Sequence, residues 1–275
     1  MMLVRWLRRH PLLGYFTVAF GISWGGTLIV LNNTGFNLVE LRSMDTGLIF
    51  VSMLLGPSMA GLALTARLEG RVGLRRLSAS LTRWRVGGRW YAVALLIAPM
   101  VLLLVLWFLG TFVGPEFAPR FNWPPFAIGL VAGSFEELGW TGFATPRLLA
   151  RFRLFTAGLS LGLVWALWHV LVAFRQDFHT MGIAWLFEFA VLYIAALTAY
   201  RLLMTWVYAN TKSLLLAVLM HASYTGWLLV LFPATSFEQG MLWQAALAAS
   251  LWIVVAVVHR RSAQCGSAAR ILSCE

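Results

Sequence analysis

Pro125-Phe-Ala-Ile-Gly-Leu-Val-Ala-Gly-Ser-Phe-Glu-Glu-Leu-Gly-Trp-Thr-Gly-Phe-Ala-Thr-Pro146 is an apolar run long enough to cross a lipid bilayer, with two adjacent carboxylates at its middle. A charged group at the centre of a span costs about 2.5–3.5 kcal/mol on insertion scales, so one retained there marks function by default. The whole chain agrees with a membrane reading. It has 275 residues, of which 60% are hydrophobic and 11% charged, with a mean hydropathy of +0.80. A soluble domain carries roughly 25% charged residues, so this chain has too little charge to cover a water-facing surface.

Seven further runs of similar length flank the first, near residues 11–31, 46–66, 90–113, 156–174, 181–207, 213–233 and 241–259. The expected fold class is all-α, a polytopic bundle of about eight transmembrane helices. Its orientation follows from the basic residues, because cytoplasmic loops are enriched in Arg and Lys. With eight spans, 18 of the 21 basic residues fall on one side, among them Arg5, Arg75, Arg151, Arg201, Lys212 and Arg260. Arg42, Arg120 and Arg175 fall on the other. Both termini are therefore expected in the cytoplasm, in a multi-pass protein of the plasma membrane. The first run follows Arg5, Arg8 and Arg9 but lacks a small-residue cleavage site, and it reads as a retained span. Arg67 to Arg89, with Leu74, Leu77 and Leu81 among its arginines, reads as an amphipathic segment on the inner surface.

The net charge of +11 could suggest nucleic acid, but the arginines lie in short loops between apolar runs and form no long face to track phosphates. Nucleic acid is not an expected partner; membrane lipid is. Cys265 and Cys274 lie in the polar tail without metal-ligand spacing.

Ionisable residues inside the spans form a short set: Glu136 and Glu137 in the fourth, His169 in the fifth, Glu188 in the sixth and His221 in the seventh. Glu137 with Thr141, Trp165 with His169, and His221 with Thr225 are each four residues apart, which puts each pair on one helix face. At about 1.5 Å rise per residue, Glu136, His169 and His221 lie roughly 14–18 Å from the inner ends of their spans, so the three share one depth. Glu188 stands apart and reads as a carboxyl satisfied by a neighbour.

Three segments carry these residues: Ser134-Phe-Glu-Glu-Leu-Gly-Trp-Thr-Gly-Phe-Ala-Thr-Pro-Arg-Leu148, Leu163-Val-Trp-Ala-Leu-Trp-His169 and Leu219-Met-His-Ala-Ser-Tyr-Thr225. They resemble the ordered motifs of the CPBP family, the CAAX proteases and bacteriocin-processing enzymes: Glu-Glu-x-x-x-Arg, aromatic-x-x-x-His and His-x-x-x-Asn. Leu55-Gly-Pro-Ser-Met-Ala-Gly61 and Tyr208-Ala-Asn-Thr-Lys-Ser-Leu214 also look familial, and the resemblance covers roughly residues 45–230. It implies a protease core over 46–233, preceded by a first span and loop (1–45) and followed by a last span and polar tail (234–275).

By that resemblance the chain is an intramembrane endopeptidase acting near the inner membrane face on a membrane-associated protein or peptide, which in some members is lipidated. Glu136 with His169 would activate water, Glu137 would support the site, and His221 with Thr225 would stabilise the oxyanion. No cofactor is implied. Zinc remains a chemical alternative for two Glu and two His, though no HExxH helix is present. Two positions depart from the pattern: Thr141 stands for the motif's Arg, and Thr225 for its Asn. Thr141 leaves two adjacent carboxyls with no cation in the motif, and Arg147, at the inner helix end, is no obvious substitute. The departures keep two other readings open: a catalytically weakened member serving in bacteriocin immunity or as a membrane adaptor, and, more remotely, a transporter.

Overall fold

The computed structural model describes residues 2–35, 41–173 and 182–271. Arg175 and Cys274 lie outside the described residues, as do the side chains of Cys265 and Arg270. The described chain is helical throughout, with no strand among the described residues. In chain order the helices are α1 (Met2–Arg9), α2 (Pro11–Asn33), α3 (Ser43–Leu81), α4 (Gly88–Phe112), α5 (Phe126–Gly139) and α6 (Thr145–Leu149). They continue as α7 (Leu154–Ala173), α8 (Ala184–Thr211), α9 (Leu214–Val230) and α10 (Phe237–Ile271).

Each apolar run becomes helix because lipid offers no partner for a backbone amide, so every N–H and C=O must be satisfied within its own segment. Six helices, α2, α3, α4, α7, α8 and α10, are long and apolar enough to cross a bilayer. The protein is an integral, multi-pass membrane protein. The other two runs are built differently. α9 has 17 residues, and the run around Glu136 is split into α5, a wide π-turn (Trp140–Ala144) and α6. Thr145 Oγ1 donates to the Trp140 carbonyl at 2.9 Å across that turn.

Helix boundaries follow local chemistry. Pro11 opens α2, where its missing amide proton costs nothing. α3 outruns a bilayer and breaks at Gly70, whose φ of 62° is tolerated without a Cβ. Beyond the break Leu77 is buried while Leu74, Arg75 and Arg76 are exposed, so the arginine-rich segment is amphipathic, with a narrower apolar stripe than the spacing predicts.

The packing that positions the site is a close approach of α5 to α9. Gly129 and Gly133 form a small-xxx-small stripe of the kind that lets membrane helices touch backbone to backbone. A Cβ at Gly133 would come within 2.7 Å of the Val218 carbonyl and 2.9 Å of the Ala222 amide. On its other side α5 meets α3, where a Cβ at Gly61 would lie 2.8 Å from the Gly139 Cα. Held by glycine on both sides, α5 brings its carboxylates into the middle of the bundle.

Candidate active site

Glu136 and Glu137 leave α5 one residue apart and so diverge by about 100° around the helix axis. The divergence gives them different partners. Glu137, fully buried, accepts from Arg201 through both oxygens, Nη1 to Oε2 at 2.8 Å and Nη2 to Oε1 at 2.9 Å. His221 Nδ1 donates to the same Oε1 at 2.7 Å, and the Thr141 hydroxyl makes a short hydrogen bond to Oε2. All of the carboxylate's accepting capacity is thereby directed at the frame of the site.

Glu136 has a lighter set of partners. Its Oε2 accepts from two indoles, Trp165 Nε1 at 2.8 Å and Trp140 Nε1 at 3.3 Å. Its Oε1 lies 4.0 Å from His221 Nε2. Glu136 also lines a cavity of about 280 Å³ together with His169, His221, Thr225 and Tyr193. His169 Nδ1 lies 2.8 Å from the Trp165 carbonyl. A carbonyl only accepts, so this nitrogen carries the proton, and in neutral imidazole Nε2 is then the acceptor. The Trp165 and Trp168 rings pack edge-on against the His169 ring.

The sequence-derived residues thus gather at one place: Glu136, His169, His221 and Thr225 on the cavity wall, Glu137 and Thr141 directly behind it. Glu188 is apart, accepting from Gln244 Nε2 at 3.1 Å. Arg147 is apart too, bonded to Glu69 and to the Phe143 carbonyl.

Arg201 is the correction. Counted by sequence with the cytoplasmic loop cations, it is 0% exposed inside α8, its guanidinium 4.0 Å over the Trp165 ring and paired with Glu137. The carboxyls are therefore not left without a cation. Thr141 is one turn from Glu137, and its small side chain leaves the space that Arg201 fills from another helix. The signal was present in the sequence, since Arg201 sits well inside an apolar run that extends to Thr211.

Residues 100–227 match the family model described as type II CAAX prenyl endopeptidase, Rce1-like. The span takes in α5, α7, α8 and the part of α9 that carries His221 and Thr225, hence every residue of the cluster. Over those residues the chain is similar to that family. A curated relative, CAAX prenyl protease 2 of Methanococcus maripaludis, is 29% identical over 143 residues, which are 47% of this chain and 52% of that protein. The chain thus matches about half the length of this curated CAAX protease.

Proposed function

We propose that this CAAX-protease relative is an intramembrane endopeptidase that hydrolyses a peptide bond of a membrane-associated protein or peptide with water activated by Glu136 and His169. The observation that supports it best is the division of labour between the two carboxylates. Glu137 is saturated by Arg201, His221 and Thr141, whereas Glu136 keeps Oε1 near His221 and the cavity.

The proposed chemistry calls on side chains alone. Glu136 takes a proton from water as the oxygen attacks the scissile carbonyl. His169, its protonated Nδ1 anchored on the Trp165 carbonyl, presents an accepting Nε2 to share that proton. General-base assistance of this kind contributes about 10²–10⁴-fold. His221 is held through Nδ1 by Glu137, and in its doubly protonated form Nε2 also carries a proton and is a donor to the developing oxyanion, with the Thr225 hydroxyl beside it. A preorganised donor in such a water-poor site is worth about 2.7–4 kcal/mol. The proton held by Glu136 and His169 then passes to the leaving amine.

Purified protein in liposomes, offered a peptide library read by mass spectrometry, is expected to cut a subset of peptides. Glu136→Gln and His169→Ala should each reduce cleavage at least about 10²-fold with the protein still folded. Cleavage that survives both substitutions overturns the proposal. A membrane adaptor or immunity protein would instead keep its effect on cells when Glu136 is neutralised.

A further inference from the structure

α7 and α8 touch through glycine in their arginine-rich halves. A Cβ at Gly158 would lie 2.8 Å from Leu202 Cδ2 and 3.2 Å from the Leu202 Cα, and one at Gly162 would lie 2.8 Å from the Thr198 Cα. Where α10 passes this contact, the three helices leave a cavity of about 510 Å³. It is larger than the cavity beside Glu136 and falls within the range of about 300–1,000 Å³ typical of small-molecule sites.

The wall of this groove is layered along the helix axes. Leu202, Leu203 and Val255 line its deeper part, and about one turn nearer the ends of the spans come Trp206 and His259. On the α7 side Arg153 lies about 7.5 Å along the axis from Gly158, which brings it to the same outer level. There the His259 ring packs against Phe155 at 5.3 Å and ties α10 to α7.

Charge at that level is one-sided. Among the described residues Arg153 makes no ion pair and no side-chain hydrogen bond, nor do Arg151, Arg260 and Arg261, which are close to Arg153 and His259 in sequence. Glu69, the one described carboxylate at the arginine-rich end of the spans, is already engaged by Arg76 and Arg147. An apolar wall that ends in unpaired cations fits a molecule that is itself apolar at depth and anionic at the membrane surface.

We propose that the groove between α7, α8 and α10 binds an anionic phospholipid, its phosphate held by Arg153 and His259 and an acyl chain lying against Leu203, Val255 and Val258. The arginine fork matches two phosphate oxygens, and an imidazole N–H supplies a further donor. A soluble phosphate would leave the apolar wall uncovered, and a neutral lipid would leave Arg153 without a counter-charge. The groove shares no lining residue with the cavity beside Glu136, so the site stands whether or not the cluster is a peptidase.

The test is native mass spectrometry of the full chain in detergent, titrated with phosphatidylglycerol or with phosphatidylcholine of the same acyl chains. The first phosphatidylglycerol is expected to bind at least about 10-fold more tightly than the first phosphatidylcholine, which corresponds to about 1.4 kcal/mol. Arg153→Gln/His259→Gln alters two exposed side chains and should erase that preference in a protein that still elutes as one species. Val258→Trp, which fills the groove, should erase it too, whereas Arg75→Gln, an exposed cation on α3, should leave it intact. No preference in the wild type, or a preference that survives both groove variants, overturns the proposal. So does an equal loss in Arg75→Gln, which would mean attraction to surface charge in general, and so does displacement of the lipid by inorganic phosphate, which would mean a site for the free anion.

Discussion

Replacing Arg201 with Met removes the charge while keeping most of the apolar stem, and the consequence can be worked from the geometry. Two hydrogen bonds of 2.8 and 2.9 Å join Arg201 to Glu137, and both side chains are fully buried. With charge centres about 4 Å apart and an effective dielectric constant of about 20, the attraction is about 4 kcal/mol. Breaking a buried pair by removing one partner costs about 3–5 kcal/mol, because the remaining charge is stranded. The Trp165 face adds a cation–π contribution of about 2 kcal/mol when desolvated, part of which the Met thioether recovers. Arg201→Met is therefore expected to lose about 3–5 kcal/mol, measured by reversible unfolding in mixed micelles followed through tryptophan fluorescence. The double variant Arg201→Met/Glu137→Gln should regain much of the loss, since a neutral pair leaves no uncompensated charge and the introduced amide oxygen can still accept from His221. Arg201→Met within about 0.5 kcal/mol of wild type, the range of substitutions that disturb nothing buried, refutes the assignment of Arg201 as the counter-ion. So does a double variant as unstable as the single one.

Thr141→Arg, which restores the family motif, is expected to inactivate and destabilise the protein, because Thr141 is 2% exposed and a second cation would crowd Arg201 beside one carboxylate. Thr141→Arg combined with Arg201→Thr moves the cation back to the α5 side and should restore both properties, as read by cleavage and unfolding. Thr225→Asn supplies an amide donor from the cavity wall and is expected to speed peptide cleavage about 10-fold, less than the about 10²–10³ of a complete oxyanion donor; an unchanged rate removes Thr225 from that role. Gly133→Leu drives a side chain into the Val218 carbonyl and Ala222 amide. It should cost at least about 1–3 kcal/mol in unfolding measurements and, by separating α5 from α9, also lower cleavage.

The apolar runs, the intramembrane carboxylates and histidines, and the asymmetry of the arginines are legible in the sequence alone. The reason is physical: the bilayer penalises each polar residue by its own depth, so a lone chain already reports which segments are immersed and which charges are costly. Helical periodicity is likewise local, and it places Glu137 over Thr141 and His221 over Thr225 without reference to packing. What the periodicity leaves open is partnership across helices. Arg201 and Glu137 are 64 residues apart, and nothing local links them. Only the approach of α8 to α5 makes one the counter-ion of the other, and Arg201 changes from a topology signal to part of the site. The split of α5 from α6 by a π-turn and the cavity beside Glu136 are tertiary in the same sense, because a cavity exists only where neighbouring helices fail to fill the space between them. Sequence decides which carboxylates and histidines lie within the membrane; packing decides which carboxylate is occupied and which one faces the cavity.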